Sequence, residues 1–421
     1  MLSDLADPLL GELGFEMETR DLLEHIELKL PPLPAEQAST HPKDWQQLLL
    51  TGASGYFGAY LLLELLNRTE ADIYCLIRAS SNEEARGRLL SNLYQHKPQL
   101  DFNPKRLHAL AGDLDKPHLG LDHHNYQRLA SQIDAIYHAG ALVNFAHSFN
   151  SLKKTNVEGL KEIFYFASQG KQKAVELISS LHIFSSNHLM GKGIIYEDEV
   201  IEKVPSLIGG YGQSRWVAEG IAKLARRQGL RVRIYRPSII GGDSETGLSN
   251  EKDALCRLFK GCIQVGAVPN LSASLNIVPA DYAAKAVVAL SMLPTLNETY
   301  HIVSHAATPL SKLFAWLKEM GYQLEELDYE RWRKQIAQED NALYPLLPII
   351  SHLSASAAIG MESPHFDDSL CRERLALQLI ICPQVDKELI QHYLRAMVKS
   401  GFIPAISSNR EAHAGQRDAH G

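Results

Sequence analysis

The chain has 421 residues, 45% of them hydrophobic and 22% charged, with a formal net charge of −7. That length predicts about two to three folding units around a sizeable core, and the acidic balance argues against nucleic acid or an anionic membrane as partner. Five scattered cysteines (Cys75, Cys256, Cys262, Cys371 and Cys382) point to reduced thiols rather than a disulfide framework or a metal site. The opening residues carry aspartates and lack the basic region of a signal peptide. No apolar run approaches the ~20 residues of a membrane helix, so a cytoplasmic location is expected.

Residues 1–44 read as a helical lead and a linker. Leu2, Leu5, Leu9 and Leu13, then Leu22, Leu23 and Ile26, recur at helical spacing. Pro31, Pro32 and Pro34 then stiffen an extended connector. Leu48, Leu49 and Leu50 form a buried strand that breaks into a turn with glycines at Gly52, Gly55 and Gly58. A helix over 56–67 follows. Residues without a Cβ let the backbone bend tightly and approach a pyrophosphate. The freed N–H groups and the positive end of the helix then face the anion. Gly52, Ser54, Gly55, Tyr56, Phe57 and Gly58 are therefore the expected dinucleotide cradle, since the glycines sit between strand and helix as that chemistry requires.

Further strands are expected at 73–78, 106–110, 135–138, 175–179 and 232–235, with helices near 149–168 and 211–228. Strands alternating with helices predict an α/β fold, a doubly wound parallel sheet with right-handed crossovers. Residues 243–276 read as an excursion. Residues 277–290 and 299–303 rejoin the sheet as helix and strand, and 309–404 are mainly helical. The polar tail, 405–421, is expected to be disordered.

Tyr211 and Arg215 lie four residues apart, on one face of the expected helix. A phenol is a poor acid near neutrality, with a reference pKa of about 10, and a fixed cation beside one favours its ionised form. Ser180 ends the fifth strand, at the carboxyl edge where such sheets bind ligands. The set suits hydride transfer from a nicotinamide to a carbonyl that Ser180 polarises and Tyr211 protonates. Taken alone, the pair reads better as a surface tyrosine and a solvated arginine on an amphipathic helix. The glycine turn upstream favours the hydride-transfer reading.

These features resemble the extended short-chain dehydrogenase/reductases, and within them the thioester reductase family. That family supplies the reductive-release domains of nonribosomal peptide and polyketide synthetases and of carboxylic acid reductases. The similarity runs over about residues 45–404. It includes LLLTGASGYFGAYLL, CLIRASSNEEARGRLL, IYHAGALVNF, KTNVEGL, GGYGQSRWVAE, RPSIIGGDSETGLSN, IVPADYAAKAV and DKELIQHYLRAMVKSGFIP. The resemblance implies a Rossmann domain over 45–242, rejoined by 277–308, and a substrate- and carrier-facing domain from 243–276 and 309–404. It implies reduction of a phosphopantetheine-bound acyl or peptidyl thioester to an aldehyde, with further reduction to an alcohol in some members. The partner would be an acyl or peptidyl carrier protein.

By the same resemblance Ser180 and Tyr211 bind the carbonyl oxygen, and Asn156 supports the site or makes a structural hydrogen bond within its helix. Arg78 ends the second strand, where an arginine favours the 2′-phosphate of NADPH over the 2′-hydroxyl of NADH. Arg88 matches a second arginine able to share that phosphate. Asp113 and Leu114 flank the adenine, and Ala139, Gly140 and Ala141 line the cofactor path.

The family carries lysine where this chain has Arg215, and that exchange is not conservative. Asp368-Ser369-Leu370 looks like the prosthetic-group site of a carrier, but its flanks fit the reductase, so Ser369 reads as a helix N-cap. His118, His123 and His124 lack metal-ligand spacing. Two alternatives remain: an extended dehydrogenase acting on a free carbonyl or nucleotide sugar, and a dinucleotide-binding regulatory protein weakened by Arg215.

Overall fold

The computed structural model describes residues 16–406 apart from 36, 40, 98–101, 187–188, 190, 200–205, 339–340 and 347–363. The expected tail from residue 407 and the leucines before residue 16 lie outside the described residues. One sheet holds β1 (Gln47–Thr51), β2 (Asp72–Ile77), β3 (Leu107–Ala111), β4 (Ala135–His138), β5 (Ala174–Ile178), β6 (Arg231–Pro237) and β7 (Thr299–Ile302). The order across it is β7-β6-β5-β4-β1-β2-β3, and every pairing is parallel. The winding reverses between β1 and β4. A crevice opens there at the carboxyl ends of the strands, the place where such sheets take ligands.

Alternation along β1 divides the core. Leu49 packs with Ile136, Val175, Phe164 and Trp216 on one face, while Leu48 and Leu50 pack with Ile73, Leu61 and Val287 on the other. Helices cover both faces, which is why the middle of β1, Leu48–Leu50, is apolar on both sides. α1 (Tyr56–Arg68), α2 (Asn82–His96) and α7 (Ala280–Ser291) cover the second face; α3 (His123–Gln132), α4 and α5 (Gly210–Arg227) cover the first. α4 comprises Phe149–Lys153, a π turn Lys154–Glu158 and Gly159–Ala167. Beyond the sheet, α6 (Ala254–Val265), α8 (Leu310–Glu319), α9 (Tyr329–Gln338) and α11 (Lys387–Lys399) build a third core around Phe259, Phe314, Trp332 and Leu394. α10 (Ser369–Ala376) instead places Cys371 and Leu375 in the core under α7.

Side chains cap several helix starts. Ser81 accepts from the Glu84 N–H at 3.2 Å and Asp122 from Asn125 at 2.9 Å. Asp253 accepts from Cys256 at 2.8 Å and Asp386 from Leu389 at 3.0 Å. Each such cap is worth about 1 kcal/mol.

Three expectations change. Among the described residues of the lead, Glu16–Glu18 is a strand paired antiparallel with Ser206–Ile208, Thr19–Leu23 is an α-helix and Pro42–Asp44 a short 3-10 turn. The proline-rich stretch is docked rather than a spacer. The Gln228 amide bonds Leu28 and Leu30, and Ala38 and Ser39 carbonyls accept from Arg231. At the third position, Asp368 rather than Ser369 is the N-cap of α10, and the Ser369 hydroxyl donates to Asp367 at 2.6 Å.

Candidate active site

α1 differs from the capped helices. Its N-cap, Gly55, has no side chain to accept the first-turn N–H groups, and these therefore remain for an anion at the crevice. The turn is closed tightly on the end of β4. Gly52 has φ +81°, and a Cβ there would sit 2.7 Å from the Ala139 carbonyl carbon; a Cβ on Gly58 would sit 2.0 Å from the Gly52 carbonyl oxygen. Asn92 on α2 braces the turn, donating to the carbonyls of Ala53 at 3.0 Å and Gly55 at 3.1 Å. Thr51 ties it to the next loop, accepting from the Gly140 N–H at 3.0 Å and meeting His138 Nδ1 at 2.9 Å.

A cleft of ≈ 1670 Å³ runs past this turn. Gly52, Ser54, Gly55, Tyr56, Phe57, Gly58, Arg78, Asp113, Leu114, Ala139, Gly140 and Ala141 all line it, as do Ser180, Tyr211 and Arg215. Arg78 follows β2 and is exposed in the cleft. Arg88 is brought beside it but does not line the cleft: it donates to the Arg78 carbonyl and pairs with Glu84 at 3.8 Å. Asn156 sits in the π turn, fully buried. Its amide accepts from Leu142 N–H at 2.8 Å and donates to Leu142 O and Ser214 Oγ, both at 3.0 Å. It thus pins the loop after Ala141 to the helix of Tyr211.

Tyr211 opens α5 with 7% of its surface exposed. Phe145 and His182 meet its ring edge-on, at centroid distances of 5.4 and 5.7 Å. Ser179 and Ser180 both follow β5, but Ser179 spends its hydroxyl on Glu219 at 2.5 Å, and Glu219 is held by Arg236 at 2.8 Å. Ser180 is therefore the hydroxyl left at the cleft. It contacts His182 twice, accepting from its backbone N–H at 3.2 Å and lying 3.1 Å from Nδ1. Burial pushes the His182 imidazole down to about 4, so it is neutral near pH 7.

Arg215 is buried on the next turn of α5. One terminal nitrogen donates to the Ile178 carbonyl at the end of β5, while Nε and Nη1 are buried without a partner. Burial, and then the Arg215 charge, drive His138 down to about 3. Two unpartnered nitrogens of a buried cation, lining the cleft that also holds an uncapped helix start, fit a dinucleotide. Among the described residues no group of His, Cys, Asp or Glu could hold a metal ion, and no helix is long and apolar enough to cross a membrane.

Thr51, Asn92, Phe145 and His182 join the site through contacts that sequence position does not announce. Only His182 carried a local signal, its spacing of two from Ser180. The far wall of the cleft comes from the third core, through Leu255, Phe314, Trp332, Leu346 and Met397.

A family model of an NAD-binding domain, described as male sterility protein, matches residues 50–287. A linear gramicidin synthase of Brevibacillus parabrevis is 35% identical over 408 residues, covering 94% of this chain and 8% of that protein. The large subunit of L-2-aminoadipate reductase of Penicillium chrysogenum is 30% identical over 387 residues, covering 85% of this chain and 28% of that protein. This chain thus spans less than a third of either curated relative. The crystal structure of the terminal R domain from the myxalamid PKS-NRPS biosynthetic pathway is similar with a TM-score of 0.82 at 35% identity, covering 92% of this chain and 99% of that one.

Proposed function

The chain belongs to the NAD-binding male sterility protein family and is an oxidoreductase of it; from that premise we propose that it reduces a carrier-bound acyl or peptidyl thioester to an aldehyde with NADPH. The observation that carries the reading is the continuity of the cleft. It joins the uncapped helix start and Arg215 to Ser180 and Tyr211, and then to an apolar wall from the third core. A cofactor, a reacting carbonyl and an acyl chain can therefore share one space. Similarity to a terminal R domain and to a gramicidin synthase supports a substrate tethered to a carrier protein.

A nicotinamide dinucleotide held here would supply the hydride for the thioester carbonyl carbon. The first-turn N–H groups of α1 would hold its pyrophosphate, Arg78 would pair with a 2′-phosphate, and Arg215 would offer Nε and Nη1 to the ribose. Ser180 donates to the carbonyl oxygen, and Tyr211 gives that oxygen its proton. The resulting hemithioacetal returns its hydroxyl proton to Tyr211 as its C–S bond breaks, leaving an aldehyde and a pantetheine thiolate, which takes a proton from water to become the free thiol. Asn156 keeps the Leu142 loop against α5 throughout.

The test is incubation with NADPH and an acyl-pantetheine thioester, with aldehyde and thiol quantified. Equal amounts of both, matching the NADPH oxidised, support the reading. Turnover of free carbonyls alone makes the chain a free-substrate dehydrogenase, and cofactor binding without turnover makes it a regulatory protein.

A further inference from the structure

We propose that His182 is a positioning residue that aims the Ser180 hydroxyl proton at the substrate carbonyl; this rests on the thioester reductase reading. A serine hydroxyl has one hydrogen to give and two lone pairs to fill. One lone pair of Ser180 Oγ is filled by the His182 backbone N–H at 3.2 Å, and the His182 ring places Nδ1 3.1 Å away. If Nδ1 carries the ring proton, it fills the second lone pair, and the serine hydrogen must point elsewhere. If Nε2 carries it, the serine hydrogen is spent on Nδ1 and the substrate oxygen gains no donor. The first tautomer makes the productive site.

The ring is held for this task. It lies 5.0 Å from Phe145 and 5.7 Å from Tyr211 between centroids, so the side chain that orients Ser180 also packs on the proposed acid. The short Leu181–Phe184 turn, capped by Ser180 itself, fixes the backbone of both residues. Nearby Ser179 cannot substitute, because its hydroxyl is committed to Glu219 at 2.5 Å. A neutral imidazole has one N–H, so tautomer rather than charge decides the direction of the serine hydrogen.

The experiment compares wild type with His182→Phe, His182→Asn and His182→Gln at saturating NADPH, each also made with Ser180→Ala. An asparagine amide can place a donor near the Nδ1 position, whereas glutamine carries it one carbon further. We expect His182→Phe to lower kcat by about 10- to 100-fold, less than the roughly 10²- to 10³-fold of deleting a donor to a developing oxyanion, because the serine hydroxyl itself remains. KM and NADPH affinity stay near wild type. His182→Asn recovers most of the rate and His182→Gln does not. With Ser180→Ala present, changing His182 has little further effect.

Wild-type kcat in His182→Phe, or equal losses in asparagine and glutamine variants, overturns the proposal while thioester reduction by the wild type still stands. Full additivity with Ser180→Ala overturns it also. Should the phenylalanine variant fail to fold, the asparagine-against-glutamine difference decides. A wild type inactive on every thioester removes the functional reading, and this proposal with it.

Discussion

Replacing Arg215 with lysine tests how the site has adapted to its cation. The guanidinium divides its donors: one terminal nitrogen holds the Ile178 carbonyl, and Nε and Nη1 are left for the cleft. A lysine carries a single, shorter-reaching ammonium. If it bonds Ile178 it withdraws from the ribose; if it reaches the ribose it orphans a buried carbonyl. Either choice loses one hydrogen bond to a charged group, worth about 1.5–3 kcal/mol. At 1.4 kcal/mol per factor of ten, kcat/KM should fall by roughly 10- to 100-fold. Arg215→Ala removes both roles and should lose about 10²-fold or more. The assay is initial-rate NADPH oxidation on one acyl thioester, with NADPH affinity measured separately. A rate that rises several-fold on Arg215→Lys would refute the reasoning, since the arginine would then be an impaired stand-in for lysine.

Tyr211→Phe should abolish most turnover and leave NADPH affinity nearly unchanged, because only the hydroxyl is lost from a ring held by Phe145 and His182; near-normal rates remove Tyr211 from the chemistry. Arg78→Ala should weaken NADPH binding by one charged contact, about 1.5–3 kcal/mol, and barely alter NADH binding; equal losses in titrations of both cofactors place Arg78 elsewhere. Glu197 accepts N–H bonds from His301, Leu370 and Cys371, yet burial pushes its carboxyl from 4.5 up to about 7. Between those values the unfolded chain releases a proton that the folded chain keeps, so this group's contribution to stability falls as pH rises. Urea midpoints of wild type and Glu197→Gln should therefore differ in slope across pH 4.5–7, and parallel curves refute the assignment.

The sheet was legible because its signals are local. Apolar triplets such as Leu48-Leu49-Leu50 mark strands buried on both faces, and the spacing of Gly52, Gly55 and Gly58 marks the turn. That frame puts Ser180 and Arg78 at strand ends and the resemblance adds Asp113, and all three line the cleft. Features made by distant segments were not legible. Ile26 of the lead fits against Gly220, where a Cβ would lie 2.4 Å from its Cδ1, and nothing local to either residue announces it. The expected division at 309 crosses a shared core, since α10 buries Cys371 and Leu375 beneath α7. A chain ending near residue 308 would expose that core. The resemblance put Arg88 near the 2′-phosphate; that its guanidinium donates to the Arg78 carbonyl beside the cleft is not legible from its sequence position. The π turn in α4 was equally hidden: it reads as continuous helix, yet it carries the buried Asn156.

The most direct test of the central claim is a single turnover with a carrier protein loaded with an acyl-phosphopantetheine thioester, NADPH supplied and the aldehyde trapped. One aldehyde and one free pantetheine thiol are expected for each NADPH oxidised, with nearly all product lost in Tyr211→Phe. A carrier that keeps its acyl group while the same protein reduces a free ketone or aldehyde would contradict the claim.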